Sequence, residues 1–154
     1  MPKPVAVGSR SEQDGASENG EAHSKLLKER KTMITWKAFV MAVMMVESSG
    51  NDKAMGDNGA SHGPLQIQKA CVIDVNEWRK ARGLSQFRFP QDCYDRQKAE
   101  QIMLSYLHRY ATECRLGREP TIKDYARIWN GGPNGYKIQA TVKYWNKVKK
   151  ELED

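Results

Sequence analysis

The order of hydrophobic and polar positions divides the chain into a polar N-terminal segment followed by helices. Residues 8–24 contain no large hydrophobic side chain, a composition typical of a disordered tail. Nine consecutive apolar residues, 38–46, then predict a helix from Thr35 to Ser48. Because this helix is apolar nearly all round, we expect it to be buried at the centre of the fold. Gly50 suits the left-handed turn that ends such a helix.

A turn-rich segment and a second helix are predicted next. Residues 51–63 contain three glycines and are long enough for a small hairpin or a shaped loop. We expect His62, near the end of this segment, to be solvated. Pro64 fits the first turn of the second helix. The apolar face of that helix carries Ile67, Ala70, Cys71, Val75 and Trp78.

Three further helices complete a mainly α fold. The clearest pattern predicts a helix from about Asp95 to Glu113, with a stripe that Cys114 continues. Thr121 caps a short helix that ends near Asn130, and the last helix covers about 138–152. No segment is rich in β-forming residues and no internal repeat is visible. The predicted fold class is therefore a single helical domain with a small turn-rich or hairpin segment.

Length and charge indicate one basic domain with a tail. The 154 residues suit one domain, and we expect a disordered tail over residues 1–30 and a folded domain over 31–154. The chain has 25 Lys and Arg against 19 Asp and Glu, and most of this excess lies beyond residue 34. Between residues 137 and 150 there are five Lys and no acid. A polyanionic partner is favoured.

Several classes of protein are disfavoured. The longest apolar run has nine residues, against roughly 20 for a spanning helix, so no membrane insertion is expected. Cys71, Cys93 and Cys114 lack the spacing of zinc ligands, so no metal and no cofactor is expected. We expect structural thiols, and one bridge plus a free thiol stays open. No nucleic-acid-binding motif is visible, so nucleic acid is not an expected partner.

Localisation stays open. The first residues, 1–7, have no apolar core of a secretory leader. Retention in the cell, another export route and a leader missing from this sequence all remain compatible with that observation.

Glu47 is the most unusual carboxylate of the chain. It directly follows the apolar run, at the C-terminal end of the predicted central helix. Apolar surroundings and the negative end of the helix dipole both disfavour its ionised form, so its pKa should be raised. A general acid that works near neutral pH needs such a raised pKa. The alternative is a solvated Glu at a helix end.

Three motifs in and after this region resemble the catalytic domain of goose-type lysozymes and soluble lytic transglycosylases (SLT domains). The first comprises residues 47–51 (ESSGN), 56–59 (GDNG) and 63–67 (GPLQI). The others are residues 128–133 (IWNGGP) and 144–148 (YWNKV). The resemblance covers about residues 34–150 and implies a lysozyme-like fold.

The resemblance also implies the roles of individual residues. Glu47 is the implied catalytic acid, and Asp57 matches a position where goose-type enzymes carry an aspartate that holds water. The second such position is Gln68 here, and Asp57 as a turn residue is the alternative. Substrate-binding roles are implied for Ser48, Gln66, Trp129, Asn130 and Tyr144. Trp129 replaces the usual Tyr, so stacking on a sugar or packing is expected of it. Asn130 and Tyr144 are expected to hydrogen-bond N-acetyl groups or Glu47, and the alternative for Tyr144 is core packing.

The implied function is a muramidase that acts as a monomer on peptidoglycan glycan strands. It would cleave the β-1,4 bond between N-acetylmuramic acid and N-acetylglucosamine. The alternatives are a lytic transglycosylase that forms 1,6-anhydromuramic products with one carboxyl group, and an inactive wall-binding module. Inverting hydrolysis requires a second carboxylate to activate water, so Asp57 slightly favours hydrolysis.

Overall fold

The computed structural model describes the backbone of residues 12–154 and the side chains of residues 19–25 and 36–154. This part of the chain contains the helices α1 (Glu12–Ser48), α2 (Lys69–Lys80), α3 (Arg96–Tyr110), α4 (Glu113–Leu116), α5 (Ile122–Gly131) and α6 (Thr141–Glu153). The strands β1 (Met55–Gly56) and β2 (Ser61–His62) form an antiparallel hairpin. Short 3₁₀ turns cover Asp57–Gly59, Gln91–Tyr94 and Gly135–Lys137. The mainly α fold class with a small hairpin is confirmed.

The chain divides into two compact units, Met1–Lys37 and Ala38–Asp154. In the first unit α1 extends back to Glu12, and the described side chains of residues 19–25 are exposed. Residues 12–30 therefore have helical backbone within α1, and the expected disordered tail over residues 1–30 stays a prediction. Their polar sequence includes Glu, Ala, Lys and Leu, which favour helix. The domain boundary at residue 31 stays a prediction, and residues 1–11 lie outside the described residues.

The core of the second unit includes one side of α1. Phe39, Val43 and Met44 of α1 are at most 2% exposed. Met41 and Met45 on the same helix are 62% and 46% exposed, so the expectation that α1 is buried all round was wrong. The packed elements cover only one side of the helix. Other fully buried core residues are Val72, Val75, Ile102, Met103, Ile128 and Val148.

The second helix begins at Lys69, later than the predicted start at Pro64. Gln66 has a left-handed φ of +52°, and its N–H donates to the carbonyl of Gly63. Ile67 pairs with His62 in an isolated β-bridge. Pro64 and Ile67 therefore belong to a buried loop that closes the hairpin.

The cap predicted for α5 is confirmed, and the structure adds a cap at the start of α3. Asp95 accepts the N–H of Lys98 at 3.1 Å, and Thr121 forms a capping box with Asp124. Arg118 also pairs with Asp124. Burial alone would raise the pKa of Asp124, but the hydrogen bonds from Arg118 and Thr121 lower it to about 2.

The end of α3 and the start of α6 differ from prediction. The third helix ends at Tyr110, before Glu113, because Thr112 caps the separate helix α4. Cys114 lies exposed on α4, so it does not continue the stripe of α3. The last helix begins at Thr141, after a 3₁₀ turn and the extended backbone of Ile138.

The three cysteines are all free thiols. Cys93 is buried, Cys71 is half-buried and Cys114 is exposed. The expectation of structural thiols therefore fits Cys93 best and is wrong for Cys114. Within residues 12–154, none of the helices combines the length and apolar character needed to cross a membrane.

Candidate active site

A cleft of about 350 Å³ opens between the end of α1, the hairpin, α2, α3 and α5, all within the second unit. Five of the residues predicted for the site line it: Glu47, Asp57, Gln66, Trp129 and Asn130. The volume lies within the range of ligand pockets. The structure adds Ser61, Leu65, Ile67, Gln68, Ala70, Cys71, Asp74 and Tyr106 to the lining.

Glu47 lies half-buried in the last turn of α1. Its Oε1 accepts a hydrogen bond of 2.7 Å from the hydroxyl of Tyr144 on α6. Burial has the largest effect on its pKa and raises it, while the Tyr144 hydrogen bond lowers it. The charge of Asp57 raises it further, and Lys147 lowers it. The net effect is a raised pKa, the direction predicted from the sequence.

Tyr144 packs in the core and also forms a hydrogen bond with Glu47. Its side chain is 9% exposed, and the hydroxyl reaches the carboxylate of Glu47. Burial, followed by the charge and the hydrogen bond of Glu47, raises the pKa of Tyr144. The phenol therefore stays protonated and is the donor of the hydrogen bond.

The hairpin presents Asp57 to the cleft. Asp57 is exposed and has a left-handed φ of +50°. Its Oδ2 accepts hydrogen bonds from Ser61 at 2.5 Å and from Gln68 at 3.5 Å. The Gln68 amide also donates to the Ser61 hydroxyl at 3.1 Å. Gln68 thus acts as a donor that orients Asp57.

Gln66 is held by the loop that precedes α2. Its Nε2 donates to the carbonyl of Gly63 at 2.9 Å. A Cβ at Gly56 would overlap Oε1 of Gln66, so an added methyl group would displace the amide. Gln66 lines the cleft, and its implied contact with the substrate stays a prediction.

Ser48 fastens α1 to the same loop. Its hydroxyl lies 2.8 Å from the carbonyl oxygen of Pro64 and 3.1 Å from that of Met44. Ser48 is not among the cleft-lining residues. The contacts indicate a positioning role, and the substrate contact implied for Ser48 stays a prediction.

Trp129 and Asn130 line the cleft from the end of α5. Trp129 is half-buried, and its ring packs edge-on against Tyr106 with centroids 5.7 Å apart. Asn130 is exposed. Both expected uses of Trp129, packing and a surface for a sugar, fit this position.

His62 was wrongly expected to be solvated. It is 8% exposed, and its Nδ1 lies 2.6 Å from the hydroxyl of Tyr94. The rings of Phe89 and Tyr94 pack edge-on against it. The burial arises because the hairpin packs on the 3₁₀ turn at Gln91–Tyr94, a contact without a local sequence signal.

Asp74 and Tyr106 are site residues that sequence reasoning missed. A usable signal existed for Asp74, because Ala70, Cys71 and Asp74 share one helix face by their spacing of three and four. Among the described side chains, no group of three or more His, Cys, Asp or Glu residues is arranged to hold a metal ion.

The chain is similar to invertebrate lysozymes. The model of the Destabilase family matches residues 38–151. Invertebrate-type lysozyme 6 of Caenorhabditis elegans is 33% identical over 90 residues, which are 58% of this chain and 65% of that protein. A lysozyme of Ostrea edulis is 32% identical over 97 residues, 63% of this chain and 64% of that protein. The matched regions thus span just under two thirds of these relatives.

Solved structures agree in fold. The inhibitor-bound lysozyme of Meretrix lusoria has a TM-score of 0.58 at 28% identity, and the lysozyme of Tapes japonica has 0.59 at 24% identity. Each match covers 73% of this chain and 87% of the other. The lysozyme-like fold is thereby confirmed, while the finer assignment to goose-type or SLT domains stays a prediction.

Proposed function

We propose that this chain, which belongs to the Destabilase family and has a lysozyme-like fold, is a glycosidase acting on peptidoglycan. The bond cleaved is the β-1,4 bond between N-acetylmuramic acid and N-acetylglucosamine. The observation that carries this proposal is the half-buried Glu47, with its raised pKa, in one cleft with Asp57.

Glu47 acts as the general acid. The hydroxyl of Tyr144 donates a hydrogen bond to Oε1 of Glu47, so the acidic proton of Glu47 is carried by Oε2. From Oε2 the proton passes to the glycosidic oxygen as the oxocarbenium-like centre develops on the sugar. The raised pKa keeps a larger fraction of Glu47 protonated near neutral pH than an ordinary carboxyl would be.

Asp57 positions the water for hydrolysis. The contacts from Ser61 and Gln68 both fall on Oδ2, so we assign Oδ1 to the attacking water. A second carboxylate in the cleft is what an inverting hydrolase requires. This favours hydrolysis over transglycosylation, in which the 6-hydroxyl of the muramic acid replaces the water.

The remaining cleft residues orient the sugar. Gln66 and Asn130 supply amide groups for the N-acetyl and hydroxyl groups of the substrate, and the exposed part of Trp129 supplies an apolar surface. The proposal thus uses five residues of the cleft lining, together with Tyr144.

The variant Glu47→Gln tests the proposal. It keeps the shape of the side chain and an acceptor for Tyr144, but it has no acidic proton. Lysis of purified cell walls should fall by about 100-fold or more. The exposed Glu119→Gln is the matched control and should lyse walls like the wild type. Retained lysis by a folded Glu47→Gln protein would refute the assignment of the acid.

Mass spectrometry of the products tests the role of Asp57. Hydrolysis yields reducing muropeptides, whereas transglycosylation yields 1,6-anhydro products that are lighter by one water. We expect reducing products from the wild type and a strongly reduced yield from Asp57→Asn. Anhydro products from the wild type would exclude the assigned water and leave Glu47 as the acid of a transglycosylase.

A further inference from the structure

The charged side chains of the cleft lining are all acidic. The lining includes the carboxyl groups of Glu47, Asp57 and Asp74, whereas no Lys, Arg or His is among the described residues that line the cleft. A negative charge on a ligand is repelled inside such a cleft, because like charges at close range cost free energy. An anionic group of a ligand must therefore lie at the rim, where a cation can bind it.

The glycan strand of the proposed reaction carries such an anionic group. N-acetylmuramic acid bears a lactyl group whose carboxyl is either free or linked to a peptide with carboxylates of its own, and N-acetylglucosamine bears neither. The muramic acid is the sugar whose C1–O bond is cleaved, and Glu47 gives its proton to the oxygen of that bond. The anionic substituent is therefore presented on the side of the strand that lies closest to Glu47.

Lys147 lies at this part of the rim. It is exposed on α6 and does not line the cleft itself. It follows Tyr144 by three residues, and residues with this spacing are neighbours on a helix surface. The hydroxyl of Tyr144 lies 2.7 Å from Oε1 of Glu47, so α6 brings the ammonium of Lys147 towards the same carboxyl group. In agreement with this position, the charge of Lys147 lowers the pKa of Glu47.

The ammonium of Lys147 is available to a ligand. Among the described side chains, none forms a salt bridge with it. The guanidinium groups of Arg96 and Arg109, in contrast, are paired with Asp52 and Asp74. The flexible stem and three donors of a lysine suit a carboxylate whose position varies with the substituent that carries it. Lys147 thus supplies the positive charge that the cleft lining lacks.

We infer that Lys147 is a specificity-determining residue that binds a carboxylate on the muramic acid beside the scissile bond. It thereby favours peptidoglycan over neutral polymers of N-acetylglucosamine. The inference rests on the proposed function, because it takes the glycan strand as the substrate. The carboxylate is that of the lactyl group or that of the peptide linked to it.

Two glycan oligomers that differ only in charge test the role of Lys147. One is a soluble oligomer of alternating N-acetylglucosamine and N-acetylmuramic acid with free lactyl carboxyls. The other is the same oligomer after carbodiimide and methylamine have converted each carboxyl to a neutral methylamide. The wild type should have the higher kcat/KM on the charged oligomer, and Lys147→Gln should lower the ratio of the two values about fivefold. The ratio is the readout because the changed pKa of Glu47 affects both substrates alike.

Two further variants separate the position of the charge from its amount. Lys147→Arg keeps a cation at the rim and should retain most of the wild-type ratio. Lys149→Gln removes the same charge from α6, but Lys149 is exposed five residues after Tyr144 and points away from it. This control should retain the wild-type ratio. An equal fall of the ratio in Lys149→Gln and Lys147→Gln would overturn the inference, because net charge alone would then select the substrate.

Oligomers that still carry their peptides identify the source of the carboxylate. A dependence on Lys147 that appears only with these oligomers would support the inference, with the peptide as the source. If Lys147→Gln kept the wild-type preference with free lactyl carboxyls and with peptides alike, the inference would be overturned while the proposed function stood. A wild type that cleaves none of these oligomers would contradict the proposed function itself.

Discussion

Among single residues, the pair of Glu47 and Tyr144 sets the acidity of the site. Burial raises the pKa of Glu47, whereas the Tyr144 hydrogen bond opposes this rise. The same bond orients the carboxyl group. The hydrogen bond from Tyr144 therefore lowers the protonated fraction of Glu47, and it fixes the direction in which Glu47 presents its proton.

Tyr144→Phe should shift the pH dependence of kcat/KM. Without the hydrogen bond the carboxylate is less stabilised, so the pKa of Glu47 rises further. Activity requires protonated Glu47 and is lost as the pH rises through its pKa, so the alkaline limb should move to higher pH. Activity at the optimum should fall about fivefold, because the bond of about 1 kcal/mol no longer orients the acid.

The control for this prediction is Tyr136→Phe, which removes a hydroxyl outside the cleft lining. This variant should leave the alkaline limb of the pH dependence of kcat/KM unchanged. An alkaline limb that stays in place or moves to lower pH in Tyr144→Phe would contradict the assigned role of the hydrogen bond.

Among the secondary-structure elements, the hairpin depends most on its contacts with the rest of the unit. Two residues in each strand provide too little pairing for independent stability. The hairpin is anchored by His62 on Tyr94 and by the close approach of Gly63 to the carbonyl of Cys93. Since Asp57 lies on this hairpin, its position depends on those anchors.

Gly63→Ala should detach the hairpin. Gly63 has a φ of +80°, and a Cβ there would overlap the Cys93 carbonyl oxygen. The backbone must therefore move, and we expect a loss of about 3 kcal/mol or more in the free energy of unfolding, together with loss of activity. Urea denaturation followed by circular dichroism measures the change.

Gly83→Ala is the matched control. Gly83 also has a positive φ, +68°, but no atom lies within 4 Å of the position that an added methyl group would take. Only the backbone strain of about 1 kcal/mol remains. Equal destabilisation by both variants would show that the contact with Cys93 does not matter.

Across the whole molecule, basic charge lies beside the catalytic groups. Lys143, Lys147 and Lys150 are exposed on α6, the helix that also supplies Tyr144. Their spacing of four and three residues puts them on one face. Because bacterial walls are anionic, we interpret this face as a means of retention on an insoluble substrate.

Replacing Lys143 and Lys150 by Gln should weaken binding to purified walls several-fold at low salt and flatten its salt dependence. Lys147 is left in place because its charge acts on Glu47. Hydrolysis of short soluble oligosaccharides should be unchanged. Cosedimentation with walls over a salt series measures the binding.

The control replaces Lys53 and Lys80 by Gln, two exposed lysines outside α6. It changes the net charge equally. If both double variants lost wall binding to the same extent, total charge and not the α6 face would determine retention.

Features that depend on neighbours along the chain could be predicted from the amino-acid sequence. Periodicity and the Thr121 cap located most helices, because side-chain spacing and capping act within one or two turns. The apolar run before Glu47 likewise predicted its raised pKa. Motif spacing brought Asp57 and Gln66 into the predicted site.

Contacts between distant groups could be seen only in the folded molecule. Glu47 and Tyr144 are 97 residues apart; the sequence left open whether Tyr144 bonds Glu47, binds the substrate or packs in the core, and only the fold decided it. Burial of His62, the loop that delays α2 past Pro64 and the lining of the cleft by Asp74 all arise from packing between elements. Such contacts have no local pattern, because their free energy comes from surfaces that approach only when the chain folds.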